Sequence, residues 1–284
     1  MNIKTKNLLQ IHIAVFLLGF SGLFGRLVST SIFTLILGRT FFSALALFLL
    51  LKYQKISLKL EKPKEYFYLI ILGIFLSLHW ITFFHSINLS TVAIGLLTFS
   101  TFPFFVTFLE PIIFKEKLYF SDIVVAIIAF IGISFVVPSF DFGNDMTIGG
   151  LWGIFSGILY AIFSLGNRAI TQKYSGPLVS FYEQLVVMFS LIPTYLITRE
   201  IVTRKDIFLM ALLGIVFTAL AHTLVISSLK HVKAKTSSII FCLEPLYSIT
   251  AAAFILNEIP SIKTLFGGVI IICAVLYSTI KSKK

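Results

Sequence analysis

The stretch IFTLILGRTFFSALALFLLL, residues 32–51, carries one charged side chain in twenty. Apolar runs of similar length recur along the whole chain. About twenty helical residues rise about 30 Å, the thickness of a bilayer's hydrocarbon core. In lipid a backbone must satisfy its own polar groups, and uninterrupted apolar runs do so as helices. With 58% of its 284 residues hydrophobic and 12% charged, the chain has more apolar surface than a water-soluble core can hide. It reads as an all-α polytopic membrane protein.

Hydropathy places ten spans, at 8–25, 32–51, 66–85, 92–113 and 120–138, then 147–167, 178–197, 207–228, 236–257 and 262–280. The first follows Lys4 and Lys6 but lacks a small-residue cleavage site, so it reads as a retained helix rather than a signal peptide. The net charge of +11 lies mainly in the short segments between spans. Most of the 23 Lys and Arg fall on the side of the N-terminus, including Lys52, Lys55, Lys59, Lys62, Lys64, Lys115, Lys117, Arg168, Lys173, Lys230, Lys233 and Lys235. The other side holds Arg26, Arg199, Arg204, Lys205 and Lys263. That bias predicts both termini in the cytoplasm, a cell inner (plasma) membrane location, and no nucleic-acid partner.

Five spans per half would bring the second half into the bilayer from the opposite side. Arg26 and Arg168, Ser86 and Ser228, Phe99 and Phe241, Pro103 and Pro245, and Glu116 and Glu258 are each 142 residues apart (258 − 116, for example). The proline and glutamate matches fall at equivalent places in their spans or loops. The expectation is ten transmembrane helices as two inverted five-helix repeats, 1–140 and 146–284.

LGRTFF at 37–42, STFPFF at 100–105 with KEKL after it, and LEPLYS at 243–248 with Asn257-Glu258 are weak signals singly. In this order and helical context the chain resembles the EamA family of the drug/metabolite transporter superfamily, over nearly its whole length. The resemblance implies a central cavity lined mainly by spans 1, 3, 4, 6, 8 and 9, with 5 and 10 more peripheral. It is nearest to ten-helix metabolite exporters, amino-acid exporters among them. Arg39 matches the family's arginine of the second span and reads as chiefly architectural.

The residues offer candidates for transport. Pro103 and Pro245 lie near the centres of the corresponding spans 4 and 9, where a helix-interior proline frees a carbonyl and bends the chain; each is a hinge candidate or a static kink. Glu244 is an intramembrane carboxylate, a functional candidate by default. It could carry a proton, meet a substrate ammonium, or hold span 9 to a neighbour. Ser237, Phe241, Glu244 and Ser248 follow helical spacing along one stripe. Tyr247, Trp80 and Tyr160 offer amphipathic cavity walls or filling. His79 and His222 could relay protons, although a helix-to-helix hydrogen bond is the commoner role of a membrane histidine. Glu110, near the end of span 4, suits solvation or a gate, and Arg39 and Glu183 are expected to pair with each other or with backbone. Gly149, Gly153 and Gly157 let another helix approach closely.

The sequence holds no phosphate-binding lysine loop, so ATP-driven transport is unsupported. It also lacks Gly-x-Ser-x-Gly and His-Glu-x-x-His patterns, so an intramembrane enzyme has no nucleophile or metal cluster to build on. Cys242 and Cys273 sit in apolar runs with no metal or disulfide spacing and read as small buried hydrophobes. No cofactor is expected. The reading is a secondary transporter, an exporter of small metabolites such as amino acids, working by alternating access and open to proton coupling. The partners are a small-molecule substrate and the lipid bilayer, with a homodimer left open. The alternatives are a lipid-linked sugar or lipid translocator, an intramembrane enzyme, and a non-transporting receptor.

Overall fold

The computed structural model describes residues 3–115 and 143–281, with 120, 124, 128, 131–132 and 135–136 between them. Most of the expected fifth span, and Glu116, lie outside the described residues. Among those described the chain is helical throughout, without strands: α1 (Ile3–Ser21), α2 (Phe24–Leu27), α3 (Ile32–Tyr53), α4 (Pro63–Leu89), α5 (Val92–Phe99), α6 (Phe102–Phe114), α7 (Asp145–Ile170), α8 (Gly176–Thr198), α9 (Arg204–Gly214), α10 (Ala221–Ser228), α11 (Ala234–Ile240), α12 (Glu244–Ile255) and α13 (Ile262–Lys281). Among the described residues eight candidate membrane spans result: α3, α4, α7 and α8 one each, and one crossing length each from α1 with α2, α5 with α6, α9 with α10, and α11 with α12, while α13, at the place of the expected tenth span, is not among them.

Helix starts follow from local chemistry. Ser31 and Thr91 accept hydrogen bonds from the amides three residues on, and Thr203 forms a reciprocal box with Asp206. These caps satisfy amides that the first turn of a helix leaves without partners. Exposed apolar side chains, such as Phe41, Leu49, Phe67 and Ile112, point outward, as lipid contact requires. Cys242 is buried, whereas Cys273 faces outward.

Contacts run mainly between the two parts of the chain. Helix α4 packs on α7 and α8, α3 on α8 and α9, and α1 on α10 and α12, while α5 and α6 both lie against α7. Small residues of α7 allow this: a Cβ built on Gly157 would stand 3.1 Å from the Phe99 carbonyl oxygen and 3.3 Å from the Phe102 nitrogen. The backbone of one crossing thus lies directly on the next.

Two crossings are interrupted near their middles, which corrects the placing of the prolines. Pro103 and Pro245 are not inside continuous helices. Ser100 and Thr101 separate α5 from α6, and Pro103 is the second residue of the new segment. A 3-10 turn, Phe241–Leu243, separates α11 from α12, and Pro245 is again the second residue. At the start of a helix the missing proline N–H costs nothing, since that amide would have no partner anyway. Hydroxyls tie down the carbonyls around the first break: Thr98 Oγ1 donates to Ile94 O (2.7 Å) and Ser100 Oγ to Leu96 O (2.8 Å). A third irregularity, the π-helical turn Ile215–Leu220, lies between α9 and α10.

Candidate functional site

The breaks meet around one internal cavity of about 20 Å³, room for roughly one water molecule. Phe99, just before the first break, and Phe241, in the second, both line it. Trp80 and His79 come from α4, Tyr160 from α7, His222 from α10, Leu18 and Ser21 from α1. Their rings form two sets, one around His79 and Tyr160 and one of Trp80 with His222. His79 lies 4.9 Å from Tyr160 and 5.2 Å from Phe99, Tyr160 is 5.6 Å from Phe241, and Trp80 meets His222 edge-on at 5.2 Å. The rings favour apolar and cationic groups over anions, because their faces are electron-rich.

Two ionisable side chains, one acidic and one basic, face this aromatic cavity. Glu244 opens α12 and is 5% exposed. Among the described residues its carboxylate takes part in no hydrogen bond or ion pair. Arg39, in the middle of α3, is 1% exposed. Its guanidinium stacks over Trp80, 4.0 Å from the ring centroid, and Nε and Nη2 donate to Thr218 Oγ1 at 3.0 and 2.8 Å. Thr218 is set by the π-helical turn, from which its hydroxyl donates to Leu213 O (2.8 Å). Nη1 donates to no described residue. Arg39 and Glu244 thus line one cavity without pairing.

The expected candidates separate accordingly. Glu244, Trp80, His79, Tyr160 and His222 come together at the cavity. His79 Nδ1 also lies 2.8 Å from Ser156 Oγ, a bond from α4 to α7. Ser237, Ser248 and Tyr247 are outside the lining. Ser248 Oγ donates to the Gly19 carbonyl of α1, and Tyr247 packs edge-on against Phe16 at 5.2 Å. For Tyr247 and Ser248, which follow it, the 3-10 turn is the reason. It winds about 20° more per residue than an α-helix, so three residues rotate the following face by about 60°. Arg39 and Glu183 do not pair: Asn167 Nδ2 of α7 donates to Glu183 Oε1 of α8 (2.8 Å). Sequence reasoning missed Arg39 as a cavity residue. It also missed Phe99 as one, although the 142-residue match to Phe241 had singled that phenylalanine out.

A carboxylate clamp holds each end of the interrupted crossings. At the end bearing the N-terminus, Glu110 is 2% exposed, so it is not solvated as its place in the sequence suggested. It pairs with Arg168 of α7 at 2.5 Å and accepts from the Ala234 and Lys235 amides at 3.1 and 3.3 Å. One carboxylate therefore joins α6, α7 and the N-terminus of α11, where the helix dipole favours it. At the far end Glu258, beyond α12, pairs with Arg26 of α2 at 3.4 Å and accepts from the Val92 amide opening α5 at 3.0 Å. Arg26 also donates to Ser90 O (2.7 Å).

Further contacts close the periphery. At the N-terminal end Lys173 meets Glu61 (2.6 Å) and Glu65 (2.5 Å), two carboxylate bonds that hold its ammonium above the ordinary lysine range. At the far end Ser31 N donates to Glu200 (3.0 Å). Burial pushes Glu200 up, but hydrogen bonds from Thr34 and Ser31 outweigh it and leave the carboxyl below its usual value.

Comparison with known proteins agrees with this architecture. The family model described as the EamA-like transporter family matches residues 5–137 and 147–280. The S-adenosylmethionine uptake transporter of Rickettsia bellii (strain RML369-C) is 27% identical over 252 residues, covering 87% of this chain and 83% of the relative. That of Rickettsia conorii (strain ATCC VR-613 / Malish 7) is 26% identical over 249 residues, with 87% and 82% covered. An uncharacterized transporter of Archaeoglobus fulgidus is 30% identical over 133 residues, 46% of this chain and 48% of that one. A protein solved by crystallography superposes with a TM-score of 0.74 at 14% identity, covering 98% of both chains, a likeness of fold alone.

Proposed function

The chain belongs to the EamA-like transporter family, and from that membership we propose that it carries a small metabolite across the cell's inner (plasma) membrane by alternating access. The observation that carries the reading is the small, deeply buried cavity at the meeting of two interrupted crossings. Ligand cavities usually measure about 300–1,000 Å³, so a metabolite reaches this one only when helices part. The proposed hinges are the breaks before Pro103 and Pro245, and the proposed gates are the two carboxylate clamps.

Ten spans as two inverted repeats, 1–140 and 146–284 with both termini cytoplasmic, suit this mechanism. The packing supports it, since exchanging the halves turns the contact of α1 with α10 into that of α7 with α4. It likewise turns the contact of α1 with α12 into that of α7 with α6. Interrupted helices that meet at mid-depth are where inverted-repeat carriers place their ligands.

The proposed direction is uptake and the first candidate solute is S-adenosylmethionine, in place of amino-acid export. The relatives matched over most of both chains are named for that activity. An aromatic cavity with a buried carboxylate also suits a sulfonium cation. The test is uptake of radiolabelled S-adenosylmethionine by proteoliposomes, with and without an imposed pH gradient, beside a labelled amino-acid mixture. Accumulation above protein-free vesicles is expected. No uptake of either, from vesicles shown to contain folded protein, would overturn transport of these solutes.

A further inference from the structure

Arg39 and Glu244 pose a physical problem that their surroundings leave unsolved. Each is buried, each lines the same small cavity, and they do not pair with each other. An isolated buried charge is costly, and the usual remedy is an opposite charge at hydrogen-bonding distance. Here both side chains line the cavity without meeting, Arg39 stacked on the Trp80 ring. Arg39 is fixed by Trp80 beneath it and by Thr218 beside it, which engages only Nε and Nη2. That leaves Nη1 donors on a guanidinium already oriented by its stack. Glu244 is fixed by its place at the start of α12, and its carboxylate has no protein donor among the described residues.

We propose that the pair forms a dipolar clamp for the head group of an α-amino acid, with Arg39 holding the solute's carboxylate and Glu244 its ammonium. A zwitterionic head group carries both complementary charges a few ångströms apart, so one solute compensates both buried residues at once. The remainder of the solute packs against Trp80, Phe99, Tyr160 and Phe241. Arg39 is then a specificity-determining residue as well as an architectural one. The assignment rests on the cavity being the transport site and deepens that reading: S-adenosylmethionine carries this head group, and so do free amino acids.

Solutes differing only in the head group test the clamp, read by binding so that it stands apart from flux. The purified full-length protein is titrated with S-adenosylmethionine and its decarboxylated analogue, and with methionine and 3-(methylthio)propylamine, following thermal stability or tryptophan fluorescence. In at least one pair the zwitterion is expected to bind about 10- to 100-fold more tightly, the penalty for leaving a buried cation without its anion. Arg39→Gln is expected to bring that ratio close to one, and Arg39→Lys to keep part of it. Glu244→Gln weakens the zwitterion while leaving the preference for a carboxylate. Equal binding within both pairs, no binding by any of the four, or a ratio that survives Arg39→Gln overturns the clamp. The wild-type comparison needs no variant to fold. Binding with the expected ratio but without flux in vesicles would overturn the transport reading and leave the clamp standing.

Discussion

The clamp at Glu110 sets a measurable price on opening the N-terminal end of the molecule. Glu110→Gln removes the charge but keeps the shape and one acceptor oxygen. Breaking a buried ion pair from one side costs about 3–5 kcal/mol. Arg168 retains 17% side-chain exposure and thus some hydration, and glutamine still accepts one hydrogen bond, so about 2 kcal/mol is the working value. That corresponds to about 30-fold in an opening equilibrium. Hydrogen–deuterium exchange reads it directly, because the Ala234 and Lys235 amides donate to this carboxylate. Their exchange is expected to quicken about 30-fold in the variant. Glu258→Gln, read at the Val92 amide, provides the contrast: its ion pair is longer, at 3.4 Å, and the two side chains are 31% and 26% exposed. A loss below about 1 kcal/mol is expected there. Exchange at Ala234 and Lys235 within about twofold of wild type, in folded Glu110→Gln protein, would refute the reasoning.

Gly157→Val is expected to destabilise the protein by about 1–3 kcal/mol, because the added carbons meet the backbone on both sides of the first break. Gly157→Ala is expected to cost less, and thermal unfolding in detergent compares the two. Glu200 gives a pH signature: its folded carboxyl is held below the ordinary value of 4.5. A depressed carboxylate stabilises the fold above its unfolded pKa and loses that contribution as pH falls through the folded one. The difference in melting temperature between wild type and Glu200→Gln should therefore be full at pH 7 and shrink below about pH 4. A constant difference across that range would count against the Ser31 and Thr34 bonds.

Eight of the expected crossings were legible because apolar length alone sets them. The expected 32–51, 178–197 and 207–228 lie within Ile32–Tyr53, Gly176–Thr198 and Arg204–Ser228. The interruptions were legible only in part. Pro103 and Pro245 marked the right depth, but proline is equally compatible with a kinked interior and with the opening of a new segment. Stripe reasoning placed Phe241 and Glu244 at the cavity but wrongly added Ser237, before the second break, and Ser248, beyond it, while Tyr247, expected as a cavity wall, packs on Phe16 instead. Arg39 was hidden by its own chemistry, since a span arginine looks the same whether it braces helices or faces a solute. The Glu110–Arg168 pair joins residues 58 positions apart, and no local pattern announces such a partner.

As the proposed hinges, the interruptions divide their crossings into levers of unequal length. Helix α6 has 13 residues and α12 has 12, arms of about 18–20 Å, against about 10–12 Å for the 8 residues of α5 and the 7 of α11. A swing of about 15° at either break carries the far end of the longer arm about 5 Å, while side chains beside the pivot hardly shift. Glu110 sits in the outer part of one long arm, and Glu258 lies just beyond the other. Torque grows with distance from the pivot, so a bond placed there restrains rotation far better than the same bond beside the cavity. Hydrogen bonds at the rim are thus well placed to act as the proposed gates of a cavity that lies close to the pivots.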